Sequence, residues 1–443
     1  MYLQGKDILV LGAGASGVAA TRLASAHHAD VTLFDNRPEA ISGTLADELK
    51  HDDVSIVTGE ISALGERRFD LAVFSPGIPM NSQAALFAQT HSSAITGELA
   101  FGASFIQAPI LAVTGTNGKT TTVEMLAHLL AACGKRTLAA GNIGLPLSQV
   151  ALQKEELDCV VAEVSSFQLE LADDFRPFAA ALLNITPDHL NRHGSMENYQ
   201  ELKFSIFRNI TEPARCIVNA KLVALAEECT TFSADENFSA DFSAHLLDGA
   251  ELPFQGQHNR ENALAATALA ATLGIRPADA IKALGTFHTG HHRLETVASS
   301  NGIEFIDDSK ATNVDALLKA LTTLRERDRR PIALIAGGVD KGSSLEEAIP
   351  ELTASRITHV ALIGTCAPRL AERWGSLLSC GICASMQDAV SASIRSLPEG
   401  GVVLLSPACA SQDMFRDYAE RGELFAAAAR DFCSMTHQSS INS

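Results

Sequence analysis

Short apolar runs alternate along this chain with stretches in which apolar residues recur every three or four positions. The short runs predict buried strands, and the longer periodic stretches predict helices that cover them. The predicted strands are residues 6–11, 31–34, 71–74, 110–113, 136–140, 158–164, 179–183, 303–306, 332–335, 360–363 and 402–405. The clearest predicted helices are residues 197–209 and 258–273. This alternation indicates an α/β protein built on parallel sheets.

A chain of 443 residues is too long for a single hydrophobic core. We predict a Rossmann-like N-terminal domain over residues 1–93, a central P-loop ATP-binding α/β domain over 94–289, and a C-terminal Rossmann-like α/β domain over 290–443. Each domain has polar or glycine-rich residues directly after its strands, where parallel sheets bind their ligands.

The segment ILAVTGTNGKTTT, residues 110–122, passes from a predicted strand through a glycine-rich turn into a helix. Backbone N–H groups of such a turn and the positive end of the helix dipole favour a phosphate. Lys119 can reach the outer phosphates, and Thr120 offers a hydroxyl to Mg²⁺. Because only two residues separate Gly115 from Gly118, this P-loop is a shortened variant, and the alternative is an ordinary turn with a chance GKT. The residues predicted to bind the phosphates are Gly115, Thr116, Asn117, Gly118, Lys119, Thr120 and Thr121.

The N-terminal domain carries another glycine-rich turn, GAGASG at residues 12–17, and Asp35 follows about twenty residues later. This is the pattern of a mononucleotide- or dinucleotide-binding βαβ unit. Three interpretations stay open: NAD, another nucleotide, or close packing of helix and strand without a ligand. The loop at residues 75–77, Ser-Pro-Gly, follows a strand and falls where ligands of such sheets gather.

Three residues of the central domain are further candidates. Glu163 ends a predicted strand, where P-loop proteins place an acid for nucleotide-bound Mg²⁺, and capping of the following helix is the alternative. His189, next to Asp188, lies in a polar turn, where a histidine is more often solvated. Lys203 lies among apolar residues of a predicted helix, and its spacing alone favours a surface lysine with a buried stem.

Polar turns follow three predicted strands of the C-terminal domain, at residues 307–313, 337–342 and 406–411. Because the carboxyl ends of parallel strands meet at one edge of a sheet, the three turns predict one composite binding site. Taken singly, each turn is explained equally well as a solvated loop.

The charge balance argues against some functions. Lys and Arg number 34 against 52 Asp and Glu, and the net charge of −18 disfavours a nucleic acid or an acidic membrane as the main partner. The first residues lack the cationic start of a signal peptide, and no apolar run approaches the roughly 20 residues that span a bilayer. Nine scattered cysteines suit a reducing cytosol, and we interpret the lone CxxC of Cys380 and Cys383 as structural. We therefore expect a cytoplasmic protein.

Motifs along nearly the whole chain resemble those of the Mur ligase family. GTNGKT at 115–120, DDSKATN at 307–313 and SPACAS at 406–411 are together highly specific, whereas GAGASG alone is not. The other motifs are SPGI at 75–78, GNIG at 141–144, EVSSFQLE at 163–170, NITPDHLNRH at 184–193, HNRENALAA at 258–266, HHR at 291–293 and GGVDKG at 337–342. The resemblance is strongest to the family member that adds D-glutamate to UDP-N-acetylmuramoyl-L-alanine in peptidoglycan precursor synthesis. It implies an ATP-dependent amide ligase that works through an acyl phosphate and a tetrahedral intermediate.

The resemblance also implies roles for individual residues. The implied catalytic residues are Lys119, Glu163, His189 and Lys203. Two Mg²⁺ ions would be held by Thr120, Glu163, His189 and Lys203, with the lysine carbamylated. The implied UDP-sugar-binding residues are Gly14, Ala15, Ser16, Asp35, Arg37, Ser75, Pro76, Gly77 and Asn142. Asn262, Arg293 and Asp308 join the P-loop in binding ATP. The implied D-glutamate-binding residues are His189, Lys310, Thr312, Lys341, Ser411 and Tyr418.

Three positions depart from the family pattern: Asn191, Ser344 and Tyr418 stand where an aspartate, an acid and a phenylalanine are expected. These departures leave the fine substrate preference in doubt, but not the reaction class. The alternatives are another amino-acid ligase of the superfamily, a folate polyglutamate synthase, a nicotinamide-dependent oxidoreductase, and a P-loop ATPase that serves as a regulatory or binding module. The choice between D- and L-glutamate stays open. The implied partners are small-molecule substrates, with no nucleic acid and no membrane insertion, and we expect a monomer.

Overall fold

The computed structural model describes residues 1–225, 228–254, 256–288, 290–340 and 345–441. Within these residues, strands form three sheets of five, seven and six strands, so the predicted α/β class is confirmed. The chain divides into two compact units. The first unit consists of Met1–Ile185, Glu197–Pro253 and Asn259–Phe287, and the second of Thr186–Met196, Phe254–His258 and His288–Ser443. All eleven predicted strands are present, and their ends differ from the predicted ends by at most three residues.

The first sheet is parallel, with the strand order β3-β2-β1-β4-β5 of a doubly wound fold. Its elements are β1 (Asp7–Leu11), α1 (Ala15–Ala26), β2 (Asp30–Asp35), α2 (Thr44–His51), β3 (Ser55–Thr58), β4 (Leu71–Phe74), α3 (Gln83–His91), β5 (Ile95–Gly97) and α4 (Glu98–Ala103). The predicted domain boundary after residue 93 falls before β5, although β5 pairs with β4 in this sheet. A three-residue strand is too short to leave a period in the sequence.

The second sheet is also parallel, in the order β12-β11-β10-β9-β6-β8-β7. The elements of this part of the chain are β6 (Ile110–Thr114), α5 (Lys119–Ala132), β7 (Thr137–Gly141), α6 (Leu147–Ala151), β8 (Cys159–Glu163), α7 (Ser166–Leu169), β9 (Ala179–Leu182), α8 (Leu190–His193), α9 (Met196–Phe204), β10 (Cys216–Asn219), β11 (Thr230–Ser233), β12 (Phe242–Ser243), α10 (Gln257–Ala271) and α11 (Pro277–Leu284). The predicted helix at 197–209 ends as α9 at Phe204 and continues as a 3₁₀ turn.

The third sheet has the order β13-β14-β18-β15-β16-β17, and only β13 runs antiparallel to its neighbour among the described strands. Its elements are β13 (Glu295–Ser300), β14 (Ile303–Asp307), α12 (Val314–Arg327), β15 (Ile332–Gly337), α13 (Ile349–Ala354), β16 (Ile357–Ile363), α14 (Ala367–Trp374), β17 (Cys380–Ile382), α15 (Met386–Arg395), β18 (Gly401–Leu405) and α16 (Tyr418–Ile441).

The central strands explain where the polar turns lie. Strands β6, β8 and β18 are buried along their whole length, as expected for parallel strands covered by helices on both faces. Polar side chains therefore occur at the carboxyl ends of these strands and in the turns after them, which places the P-loop and Glu163 at the ends of neighbouring strands of one sheet. Among the described helices, none combines the length and apolar character that a membrane crossing requires.

Candidate functional site

The P-loop turns sharply between β6 and α5. Gly118 stands at the start of the helix in the left-handed region, at φ +85°, which favours glycine. A Cβ at this position would also lie 2.4 Å from Oδ1 of Asn262, because α10 brings that side chain against the turn. Lys119 folds back over the loop, and its Nζ donates to the carbonyl oxygens of Gly115 and Thr116 at 2.9 Å each. The structure thus brings Asn262 against Gly118 of the P-loop.

Asn184, directly after β9, braces this turn. Its carbonyl oxygen accepts from the N–H of Thr116 at 3.0 Å, and its Oδ1 accepts from the N–H of Asn117 at 2.9 Å. Its Nδ2 donates in return to the carbonyl oxygen of Asn117 at 3.0 Å. Asn184 therefore fixes two residues of the turn, Thr116 through its backbone and Asn117 through its side chain, a role that the motif NITPDHLNRH did not reveal.

Lys203 is buried beneath the P-loop, with 1% of its surface exposed. Its Nζ donates to the carbonyl oxygen of Gly115 at 2.8 Å and lies 4.7 Å from the centre of the Tyr199 ring. The Tyr199 hydroxyl is 3.2 Å from Oγ1 of Thr116, so α9 is attached to the loop at two points. The interpretation of Lys203 as a surface lysine is therefore wrong, since its amine is turned towards the P-loop and not towards water.

Glu163 ends β8 opposite Val113 of β6 and is buried. Its Oε1 accepts from Nδ2 of Asn142 at 2.7 Å, and its Oε2 has no hydrogen-bond partner among the described residues. Helix α7 is capped by Ser165, in a capping box with Gln168, so Glu163 is not the helix cap. A buried carboxylate oxygen without a donor is costly unless a ligand or water satisfies it.

Mg²⁺ fits this arrangement. The described residues contain no group of three or more His, Cys, Asp and Glu side chains placed to hold a metal ion. A nucleotide-bound Mg²⁺ does not require such a group, because one or two protein oxygens, phosphate oxygens and water complete its coordination. The unpartnered oxygen of Glu163 and the hydroxyl of Thr120, in the first turn of α5, are oxygen donors of the required kind.

A cavity of about 960 Å³ opens at the carboxyl ends of β1, β2 and β4. It is lined by eight of the nine predicted UDP-sugar-binding residues, namely Gly14, Ala15, Ser16, Asp35, Arg37, Ser75, Pro76 and Gly77. Asn142, the ninth, does not line this cavity, since its side chain is bonded to Glu163. The two loops singled out in the N-terminal sequence therefore form one cleft.

Asp35 faces the glycine-rich turn of this cleft. Its Oδ2 accepts from the N–H of Ala13 at 2.8 Å, and its Oδ1 accepts from the N–H of Arg37 at 2.9 Å. Burial opposes the charge, but these N–H groups and the Arg37 guanidinium hold the pKa of Asp35 below its ordinary value. The carboxylate is therefore ionised at neutral pH and fixes the turn from behind.

The three polar turns of the second unit meet at one edge of the third sheet. The Ser406 hydroxyl donates to Oδ2 of Asp308 at 2.9 Å, and the N–H of Gly337 donates to the carbonyl oxygen of Pro407 at 2.8 Å. Val339 and Ala410 pair through two backbone hydrogen bonds. The composite arrangement predicted from the turns is present in the described residues.

Asp308 is the most perturbed acid at this edge. Burial raises the pKa of Asp308 to about 7, against the opposing effects of the Ser406 hydroxyl and the Arg293 guanidinium. Nε of Arg293 is itself buried with no hydrogen-bond partner in the described chain. Two predicted ATP-binding residues thus lie within electrostatic reach of each other, and the buried Nε of Arg293 has capacity for an acceptor.

Of the predicted glutamate-binding residues, Lys310 and Tyr418 are in contact: Nζ of Lys310 lies 5.0 Å from the centre of the Tyr418 ring. Ser411 is buried in the turn after β18, and Thr312 is half-buried in the turn after β14. Lys341 lies outside the described residues, as does the departure at Ser344.

His189 belongs to the second unit, in the segment Thr186–Met196. It has the left-handed φ of +54°, and its Nε2 lies 3.8 Å from Oδ1 of Asp188. Asp188 in turn accepts from Nδ2 of Asn313 at 3.3 Å, which ties this segment to the start of α12.

Three family profiles match the sequence: the Mur ligase MurD-like N-terminal domain over residues 6–97, the Mur ligase middle domain over 113–270, and the Mur ligase glutamate ligase domain over 292–409. A UDP-N-acetylmuramoylalanine--D-glutamate ligase from Thermoanaerobacter sp. (strain X514) is 36% identical, with 97% of this chain and 99% of the relative covered. This chain belongs to the Mur ligase family.

Another relative of this Mur ligase, a UDP-N-acetylmuramoylalanine--D-glutamate ligase from Trichlorobacter lovleyi, is 38% identical over 97% of the chain and 100% of the relative. Two solved structures share its fold. UDP-N-acetylmuramate-alanine ligase MurC from Thermotoga maritima is 21% identical at a TM-score of 0.60, with 98% and 100% of the two chains covered. MurF ligase from Thermotoga maritima, in complex with ADP, is 16% identical at a TM-score of 0.61, with 94% and 99% covered.

Arg421 is a polar residue of this Mur ligase that sequence reasoning missed. It is fully buried in α16, and its guanidinium donates to the hydroxyl and carbonyl oxygens of Ser309 and to the carbonyl oxygen of Cys409. Burial lowers the pKa of Arg421 to about 10. It joins the turn after β14 to the turn after β18, but an arginine in a helix is usually solvated, so the sequence carried no signal of this role.

Proposed function

We propose that this Mur ligase joins D-glutamate to UDP-N-acetylmuramoyl-L-alanine at the expense of ATP, in peptidoglycan precursor synthesis. Relatives of that name, 36% and 38% identical over 97% of the chain, support the choice of substrates. The observation that carries the proposal is the P-loop, where the amines of Lys119 and Lys203 both bond to the Gly115 carbonyl oxygen.

The chemistry explains why a phosphate site is needed. A carboxylate is a poor electrophile because an amine cannot expel an oxide, so ATP first converts it to an acyl phosphate. The amine of the amino acid then attacks, a tetrahedral intermediate forms, and phosphate leaves. Both steps crowd negative charge, and the P-loop amides and Lys119 would stabilise it.

Thr120 and Glu163 would hold one Mg²⁺, which supplies Lewis-acid neutralisation of phosphate charge when bound. His189 and a carbamylated Lys203 would hold the second. The carbamate turns a cation into an oxygen ligand, because the neutral amine adds CO₂ and loses a proton. A carbamate retains one N–H, so Lys203 could keep its hydrogen bond to Gly115.

The residues for the other substrates are those that the family resemblance implies, and the cleft of the N-terminal sheet is compatible with that assignment. The cavity of about 960 Å³ has the size of a nucleotide-sugar site, and Arg37 supplies a cation at its edge. Asn142 would reach the same substrate from β7. Asn262, Arg293 and Asp308 would contact adenosine and ribose. The residues proposed for D-glutamate are Lys310, Thr312, Lys341, Ser411, Tyr418 and His189.

The domain bounds 1–93, 94–289 and 290–443, a cytoplasmic location and a monomeric state belong to the same proposal. The three sheets support a division into three domains, although β5 at residues 95–97 also belongs to the first sheet, and buried thiols such as Cys159 and Cys366 are typical of a reducing cytosol.

The decisive experiment measures phosphate release from ATP with UDP-N-acetylmuramoyl-L-alanine and either D- or L-glutamate. We expect release only when the precursor and D-glutamate are both present, without NAD. Phosphate release without an amino acid would indicate an ATPase module, and preference for L-glutamate or another amino acid would indicate a different ligase. A requirement for NAD, with no ligation, would indicate an oxidoreductase.

A further inference from the structure

A histidine–carboxylate pair lies behind the residues proposed to bind D-glutamate. Nδ1 of His292 is 2.7 Å from Oδ2 of Asp307, and both side chains are largely buried, at 14% and 1% exposure. With Asp307 ionised, the carboxylate can only accept, so Nδ1 carries the shared proton. The His292 ring meets the Tyr418 ring edge to face, with centroids 6.2 Å apart and an angle of 79° between planes.

Hydrogen bonds to the backbone also connect His292 and Asp307 to the surroundings of Lys310 and Tyr418. The carbonyl oxygen of His292 accepts from the N–H of Lys310 at 3.3 Å, and Oδ1 of Asp307 accepts from the N–H of Ser309 at 2.8 Å. The Ser309 hydroxyl donates to the carbonyl oxygen of Tyr418 at 2.7 Å. The pair is therefore connected to the turn that carries Lys310 and to the first residue of α16.

Gly422 shows that α16 is built to lie against this pair. It follows Tyr418 by four residues and so lies on the same face of the helix. A Cβ on Gly422 would fall 2.1 Å from Nδ1 of His292 and 2.6 Å from Oδ2 of Asp307. Any side chain at this position would push the helix, and Tyr418 with it, away from the pair.

We propose that His292 and Asp307, with the gap left by Gly422, position the Tyr418 ring and the Lys310 amine for the incoming amino acid. The inference rests on the proposed function, which assigns Lys310 and Tyr418 to D-glutamate. His292 and Asp307 are positioning residues and touch no substrate. Their contribution is to hold two side chains in one arrangement before the amino acid binds, which removes part of the entropic cost of binding it.

The test separates the three substrates by steady-state kinetics. In His292→Ala, the side chains of Lys310 and Tyr418 would have to be ordered when the amino acid binds, and this cost should raise KM for D-glutamate about tenfold. KM for ATP and KM for UDP-N-acetylmuramoyl-L-alanine should stay within about twofold of wild type. His292→Asn, whose amide can donate in place of Nδ1, should recover most of the loss. His291→Ala is the matched control, because His291 is the exposed neighbour and bonds to Glu295 instead.

Gly422→Ala tests the same arrangement from the helix side and should give the same selective rise in KM for D-glutamate. Equal rises in all three KM values, or no rise in His292→Ala, would overturn this inference alone. A wild-type enzyme that ligates no D-glutamate would overturn the proposed function and this inference with it.

Proton NMR adds a readout on the wild-type chain, and the variants serve only to assign the resonance. A His292 Nδ1 proton bonded to a carboxylate should resonate far downfield, be absent in His292→Asn and persist in His291→Ala. We expect saturating D-glutamate to shift it in the presence of the precursor and a non-hydrolysable ATP analogue. A resonance that does not respond to the amino acid would overturn the proposal.

Discussion

Two glycine-rich turns of the first unit both join a strand to a helix, but the side chains that hydrogen-bond to them have opposite charge. Each follows a buried parallel strand and leads into a helix, at residues 12–17 after β1 and at 115–118 after β6. The first is held by the Asp35 carboxylate, which accepts from the N–H of Ala13. The second is held by the amines of Lys119 and Lys203, which donate to the Gly115 carbonyl oxygen.

The difference shows what the backbone alone cannot decide. A turn and a helix N-terminus attract an anion in either place. Lys119 adds positive charge of the kind that a triphosphate requires, whereas the Asp35 carboxylate opposes a compact polyphosphate, and the cation of the first cleft is Arg37 at its edge. In a dinucleotide-binding fold, an acid at this position binds the ribose hydroxyls. Here Asp35 also bonds the protein's own turn, so the GxGxxG pattern by itself did not identify a ligand.

The substitution with the largest expected effect on either turn is Lys119→Ala. Without the amine, the P-loop loses the cation that would meet the outer phosphates, and we expect ligation to fall by about 10³-fold or more. The measurement is phosphate release with all substrates saturating. Lys154→Ala, at an exposed position of the same unit, is the control and should retain full activity. Turnover close to wild type in Lys119→Ala would contradict the site assignment.

Lys203→Ala removes the second amine and should lower turnover about 100-fold, because the proposed metal ligand would be lost. Short carboxylic acids such as formate or propionate should restore part of the activity by supplying the missing oxygens. Lys203→Ala with added acetate at matched ionic strength, compared with chloride, separates rescue from a salt effect. Full activity without any rescue would show that the lysine is not a precursor of a metal ligand.

The strands that precede both turns were predicted from the sequence, because buried parallel strands are continuous apolar runs and these two are followed by glycine-rich residues. It did not predict the burial of Lys203, because spacing within a helix does not reveal which face is covered by a distant loop. Arg421 and Asn184 were missed for a related reason: their partners, Ser309 and the P-loop, are far away in the chain. Short strands such as β5 and β12 were missed because two or three residues carry no period.

Asp35→Asn tests the first turn in the same way, with a smaller effect. A neutral amide keeps the size of the side chain but weakens the bonds to Ala13 and Arg37, so KM for the UDP-sugar precursor should rise roughly tenfold. KM for ATP should be unchanged, because the P-loop is supported independently. Asp30→Asn, at the exposed start of β2, serves as the control. A rise in KM for ATP instead would show that the first turn binds the other nucleotide.

The Asp35 carboxylate, which supports the first turn, also predicts that the free energy of unfolding depends on pH. Because N–H donors hold the pKa of Asp35 below its ordinary value of 3.8, the folded state binds this proton less readily than the unfolded state. The stabilisation is therefore fully present above that value and is lost as the pH falls through the lower pKa of the folded protein. Urea unfolding of wild type and Asp35→Asn should give a difference in unfolding free energy that is constant from pH 5 to 7 and shrinks below about pH 4. A difference that instead grows as the pH falls would mean that the carboxylate is strained by burial and does not support the turn.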